Sequence, residues 1–158
     1  MIRASRLADY GVVLAGHMAA RPEAFYNAVD LAAVTQLPAP TVSKVLVALT
    51  RSGVLVSHRG ARGGYRLARA PRDISAAEIV TALDGPIAMT LCIEQGDGAC
   101  EVETACPSRR GWMRINAAIR RALEEVSLAD LAAPAPAPRN SCAVDLAADP
   151  VPTRPVAS

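Results

Sequence analysis

The stretch NAVDLAAVTQLPAPTVSKVLVALTRSG, residues 27–53, leaves few folds open. Val29, Leu31, Ala32 and Val34 suit a short helix, and Leu37-Pro38-Ala39-Pro40 stops it, because a proline ring fixes φ and removes the donor that an interior helical position needs. Pro40 can also open the next helix, since an N–H in the first turn has no helical partner to lose. That second helix is predicted from about Thr41 to Ser52, burying Val42, Val45, Leu46 and Leu49 and stopping at Gly53. Two short helices across a tight turn make a helix-turn-helix. The outward face of the second offers Thr41, Ser43, Lys44 and Arg51, short polar and cationic groups able to reach base edges and phosphates.

The next sixteen residues, VLVSHRGARGGYRLAR (54–69), change period. Val54, Val56 and His58 alternate into Gly60, Gly63 and Gly64, and Tyr65 and Leu67 lead out, which predicts a glycine-tipped hairpin carrying Arg59, Arg62 and Arg66. A hairpin beside a recognition helix is a wing. Glycines such as Gly63 let backbone approach phosphates, and arginines add charge where a narrow minor groove is most negative. The charge balance agrees. Residues 1–70 carry nine basic against three acidic side chains, a net of +6, whereas residues 71–158 carry eight against twelve, a net of −4.

Around this unit the chain is mostly helical. Leu7, Tyr10, Leu14 and Met18 recur at helical spacing over residues 5–20, and that apolar run is too short to cross a bilayer and lacks a signal peptide's layout. Ser75-Ala76-Ala77-Glu78 has the form of a capping box that opens a helix ending near Gly85-Pro86. From Pro107 to Val126, Trp112, Ile115, Ile119, Ala122, Leu123 and Val126 mark a long amphipathic helix, whose stripe is either intrachain core or a dimer seam. From Ala132 onward six of the chain's twelve prolines fall in a stretch without periodicity, expected to be a disordered tail that includes Cys142. The organisation is thus a mainly α winged helix-turn-helix domain with a small β-hairpin (1–85), a cysteine loop (86–106), a dimerisation helix (107–131) and a tail (132–158).

The loop LCIEQGDGACEVETACPSRRGW (91–112) holds Cys92, Cys100 and Cys106. In a cytosolic protein thiols stay reduced, so a cluster of them points to metal or catalysis before disulfides. No C-x-x-C pair is present, which disfavours structural zinc. An iron–sulfur cluster is wider than one ion and accepts thiolates at irregular spacing. Glu94, Asp97, Glu101 and Glu103 surround the thiols without a local base or a histidine, which disfavours a cysteine nucleophile, so no enzyme activity and no small-molecule substrate are expected.

RLADYG, LPAPTVSKVLVAL, SHRGARGGYRLAR, ISAAEIVTALDGPIAMTLC, the three cysteines and SLADL together resemble the Rrf2 family of winged-helix bacterial regulators, over about residues 1–132. That family includes branches sensing nitric oxide, iron–sulfur status and demand for SUF cluster assembly, and GARGGYRLAR, DGPIAMTLC and CEVETACPSRRGW look most similar to the SUF branch. The resemblance implies a cytoplasmic homodimer on a double-stranded DNA operator, acting as a repressor with a cluster bound by Cys92, Cys100 and Cys106. Where some members place a ligating histidine, three positions after the third cysteine, this chain has Arg109, which cannot ligate iron. Other members use an acid on the first helix, and the matching residue is Asp9. Three thiolates and a carboxylate suit a 4Fe-4S cluster, with 2Fe-2S as the alternative. His17 and His58 are reserve ligands. A nitric-oxide or redox sensor, and a zinc-stabilised DNA-binding protein, are the competing readings.

Overall fold

Ser5 starts the first helix, α1 (Arg6–Ala19): its hydroxyl accepts from the N–H groups of Leu7 and Ala8, satisfying donors that the first turn leaves open. The computed structural model describes residues 4–60, 63–90, 93 and 106–133. Asn27 caps α2 (Ala28–Thr35) through the Asp30 N–H at 2.7 Å. Gln36, in the left-handed region at φ 56°, and the two residues after it make the turn into α3 (Ala39–Arg51). The chain direction changes by 119° between α2 and α3, within the range of helix-turn-helix pairs. Pro40 stands in the first turn of α3 as expected, and the helix begins two residues earlier than the periodicity indicated because Pro38 supplies the capping carbonyl to Thr41 and Val42.

The wing is a two-stranded antiparallel ribbon of β1 (Leu55–His58) and β2 (Gly64–Leu67), with Leu55 opposite Leu67 and His58 opposite Gly64. After a 3-10 turn at Pro71–Asp73, the Ser75–Glu78 capping box forms as predicted and opens α4 (Ala76–Asp84), which ends on Gly85. Helix α1 crosses α4 so closely that a methyl group on Gly11 would run into the Leu83 side chain. Leu14, Met18, Leu31, Leu46, Leu49 and Ile79 are fully buried between α1, α2, α3 and α4.

The C-terminal part departs from expectation. The range 107–131 holds two helices, α5 (Arg109–Glu125) and α6 (Leu128–Ala132), not one. Val126 is extended, and Ser127 forms a second capping box with Asp130 that starts α6. Helix α6 packs on α1 and sinks Leu128 completely into the core. The two cap segments are also stitched together, with Ala76 N–H donating to the Val126 carbonyl at 2.8 Å and Leu128 N–H to the Ile74 carbonyl at 2.7 Å. The winged unit is therefore discontinuous in sequence, since it includes α6 beyond residue 85. Of the expected tail, Ala132 closes α6; residues 134–158, Cys142 among them, lie outside the described residues. Among the described residues no single helix is long and apolar enough to cross a membrane.

Both cap acids titrate low. Burial pushes the Glu78 carboxyl up, but the bonds from Arg69 and Ser75 outweigh it and hold it below the usual carboxylate range. The Ser127 hydroxyl and N–H do the same for Asp130. A carboxyl lowered in the folded state stabilises the fold above its unfolded pKa, and that contribution fades as pH falls through the folded value. Thermal melts between about pH 5 and pH 3 should therefore lose less stability in Glu78→Gln than in the native chain, over the interval where carboxylates protonate.

Candidate nucleic-acid interface and sensing junction

Helix α3 splits into two faces. Val42, Val45, Leu46 and Leu49 are buried, while Pro40, Ser43, Lys44, Val47 and Arg51 are exposed along one stripe. Ser43 and Lys44 thus stand where a groove would be read, and Thr41 is half-buried at the stripe's edge. Val47 is the residue that the sequence reading passed over. It is 41% exposed between Lys44 and Arg51 and supplies an apolar surface of the kind that meets a thymine methyl. Its offset of three from Lys44 was the available signal.

The wing places Arg59 on its exposed edge, and the tip is closed by Gly63 N–H donating to the Gly60 carbonyl at 2.9 Å. A side chain on Gly63 would collide with the His58 carbonyl, so this glycine shapes the turn itself. Arg62 lies outside the described residues. Arg66, expected as a DNA contact, is engaged within the chain: it pairs with Glu23 at 3.0 Å, and its guanidinium lies 5.2 Å from the centre of the Phe25 ring. This bond spans 43 positions of sequence and, with the paired Tyr26–Tyr65 backbone bonds, braces the wing's base against the segment before α2. His17 and His58, the reserve ligands, pack edge-on against Tyr26 and Phe25.

The proposed cluster ligands are described only in part. Cys92 and Cys100 lie outside the described residues, so the ligand set is not assembled in view. Cys106 carries a free, half-exposed thiol three residues before α5. Asp9 is exposed in the first turn of α1, and its carboxylate makes no hydrogen bond or ion pair among the described residues. Asp9 thus has no salt-bridge partner among the described residues, while its place in the first turn of α1 is one where a carboxylate interacts favourably with the helix dipole. Arg109 opens α5, so the position three after Cys106 is the first residue of a helix.

Near this junction the chain is held twice. Asp84, at the end of α4, accepts from the Ser5 N–H at 3.0 Å and from the Ser5 hydroxyl. Asn116, the buried polar side chain of α5 at 6% exposure, donates to the Ile87 carbonyl at 3.0 Å and accepts from the Met89 N–H at 3.1 Å. Along the expected stripe of α5, Trp112, Ile115, Ala122 and Val126 are exposed and Ile119 and Leu123 half-buried, so the described residues do not cover it as core.

The sequence profile of Rrf2, described as an iron-dependent transcriptional regulator, matches residues 4–134. The chain belongs to the Rrf2 family. Among Rrf2 relatives, a Mycobacterium tuberculosis sequence named as an HTH-type transcriptional regulator is 37% identical over 103 residues, which is 65% of this chain and 63% of that protein. The HTH-type transcriptional regulator CymR of Bacillus subtilis is 31% identical over 65% of this chain and 69% of its own length. The solved structure of B. subtilis CymR, titled as the global cysteine regulator, superposes with TM-score 0.63 at 27% identity, covering 84% of this chain and 97% of that one. T. potens IscR superposes with TM-score 0.59 at 27% identity, covering 82% and 85%. These structures share the winged-helix architecture described above, and the M. tuberculosis and B. subtilis relatives are named as HTH-type transcriptional regulators.

Proposed function

We propose that this protein is a homodimeric repressor in the bacterial cytoplasm whose grip on a double-stranded operator depends on an iron–sulfur cluster, with the SUF cluster-assembly genes as its targets. The observation that carries the reading is donor chemistry: an Asp9 carboxylate on α1 with no bond among the described residues, and a free Cys106 thiol three residues before α5. Soft thiolates with one hard oxygen donor fit iron in a cluster. Cys92, Cys100, Cys106 and Asp9 would hold it, with 4Fe-4S preferred over 2Fe-2S. When bound, such a cluster supplies a centre sensitive to oxidants, nitric oxide and iron–sulfur supply. The family's iron-dependent description and the likeness to IscR support this reading, and the GARGGYRLAR and CEVETACPSRRGW motifs support the SUF targets.

The protein residues supply the rest. Ser43 and Val47 face base edges, while Lys44, Arg59 and Arg62 neutralise phosphates. The exposed stripe of α5, with Trp112, Ile115 and Val126, pairs two copies, because a two-fold operator calls for a two-fold protein.

Anaerobic purification and native mass spectrometry test the cofactor and the dimer together, and a gel-shift titration of loaded and iron-free protein tests the switch. A brown dimer with iron and acid-labile sulfide, and unequal operator affinity of the two forms, is expected. One colourless divalent ion per chain would establish the zinc reading instead. On the DNA side, Lys44→Ala should weaken binding to all sequences alike and reduce the salt slope by about one, whereas Ser43→Ala should relax base preference.

A further inference from the structure

The segment from Asp84 to Met89 has no helix or strand after its first residue, yet two helices hold it. At its start Asp84 accepts from both donors of Ser5, and Ser5 is the cap of α1. At its end Asn116 takes the carbonyl of Ile87 and the N–H of Met89, a two-point grip that uses both halves of the amide. Burying an amide on an otherwise exposed helix is unfavourable unless both halves find partners, and here they do. Asp9 lies one helical turn beyond Ser5, Cys92 follows Met89 by three positions, and Cys106 precedes α5 by the same interval. Two of the proposed ligands, Asp9 and Cys92, thus lie within four positions in sequence of the two held ends, and α1 in turn packs on the recognition helix α3.

We infer that Asn116 and the Ser5–Asp84 pair are positioning residues that make segment 84–89 a strap, carrying the state of the cysteine loop to α1 and α5 together. This rests on the cluster-gated reading above. With both grips intact, a change in the loop must shift α1 against α3 and α5 against the winged unit as one two-state element. With either grip released, the loop can change without moving the reading surface.

The test uses the full chain, loaded anaerobically or left iron-free, with operator affinity measured by fluorescence anisotropy for the native protein, Asn116→Ala and Asp84→Asn. The native ratio between the two forms should lie within the usual range of coupling, about 5–150-fold, and collapse to within about twofold in both variants while iron and sulfide content stay native. Amide exchange in the iron-free protein gives a readout independent of the cluster: Met89 should exchange faster in Asn116→Ala, and Leu7 and Ala8 faster in Asp84→Asn. Asp84 lies at the exposed end of its contact, so this second variant keeps the test sharp if Asn116→Ala folds poorly. A native ratio that persists in both variants, or unchanged exchange at Met89, overturns the strap. Equal binding by the two native forms instead sinks the cluster-gated reading on which it rests.

Discussion

Gly64→Ala should cost about 2–4 kcal/mol of stability and weaken operator binding by about tenfold or more, the equivalent of one lost contact of about 1.4 kcal/mol. Gly64 sits at φ +145°, where side chains are strained, and an added Cβ would stand 2.5 Å from the Tyr26 carbonyl oxygen and 2.9 Å from its carbon. That carbonyl cannot swing away cheaply. It accepts the Tyr65 N–H at 2.8 Å while Tyr26 N–H returns the bond to Tyr65 at 2.9 Å, so relieving the clash breaks the rung joining the wing to the core side of the chain. The Arg66–Glu23 pair and the Phe25 contact lie on the same seam and would shift with it. Thermal unfolding and anisotropy titrations at two salt concentrations check the result. A variant with the native melting temperature and affinity would show that the wing's base is not held in this way.

Leu128→Ala should cost about 2–5 kcal/mol, the usual range for emptying a buried leucine site. Leu128 is 0% exposed although its helix has only five residues, and its N–H is tied to the Ile74 carbonyl. So short a helix has little stability of its own, and packing must hold it. Removing the isobutyl group should loosen α6 from α1 and then free the last turn of α5. Chemical denaturation gives the first quantity and amide exchange near Glu125 the second. Leu128→Met, which keeps most of the volume, should recover all but about 1.5 kcal/mol. An equal loss in both variants would mean that the site responds to any change and not to the cavity.

These two positions also show what the sequence reveals and what it hides. Pro38 and Pro40 punctuate the helix-turn-helix within four residues, and the Ser75–Glu78 box is a local signal, so both were legible without tertiary knowledge. Ser127–Asp130 is the same kind of signal; the periodic stripe ended at Val126, in step with α5, but the range 107–131 assigned to the dimerisation helix ran on past this second box. Asn116 was missed for a different reason. Periodicity flags apolar faces, and a buried amide on a surface helix is intelligible only once the Ile87 and Met89 backbone is seen beside it. Arg66 read as a wing cation because its partner, Glu23, is far away in sequence. For the cysteine loop the sequence offers an expectation only: three thiols at wide spacing suggest a cluster, and two of them, Cys92 and Cys100, lie outside the described residues.

The stitch between Val126–Leu128 and Ile74–Ala76 turns α5 into a ruler. Its far end is pinned to the reading unit and its middle is gripped by Asn116, so in a pair joined along this helix the separation of the two reading heads follows from its seventeen residues. One residue added within α5 would advance the far end by 1.5 Å and rotate it by about 100°. For such a pair, if the proposed two-fold operator is what it reads, the half-sites would have to keep a fixed phase on the double helix, and a shift of a few base pairs between them would weaken binding without changing a single contacted base.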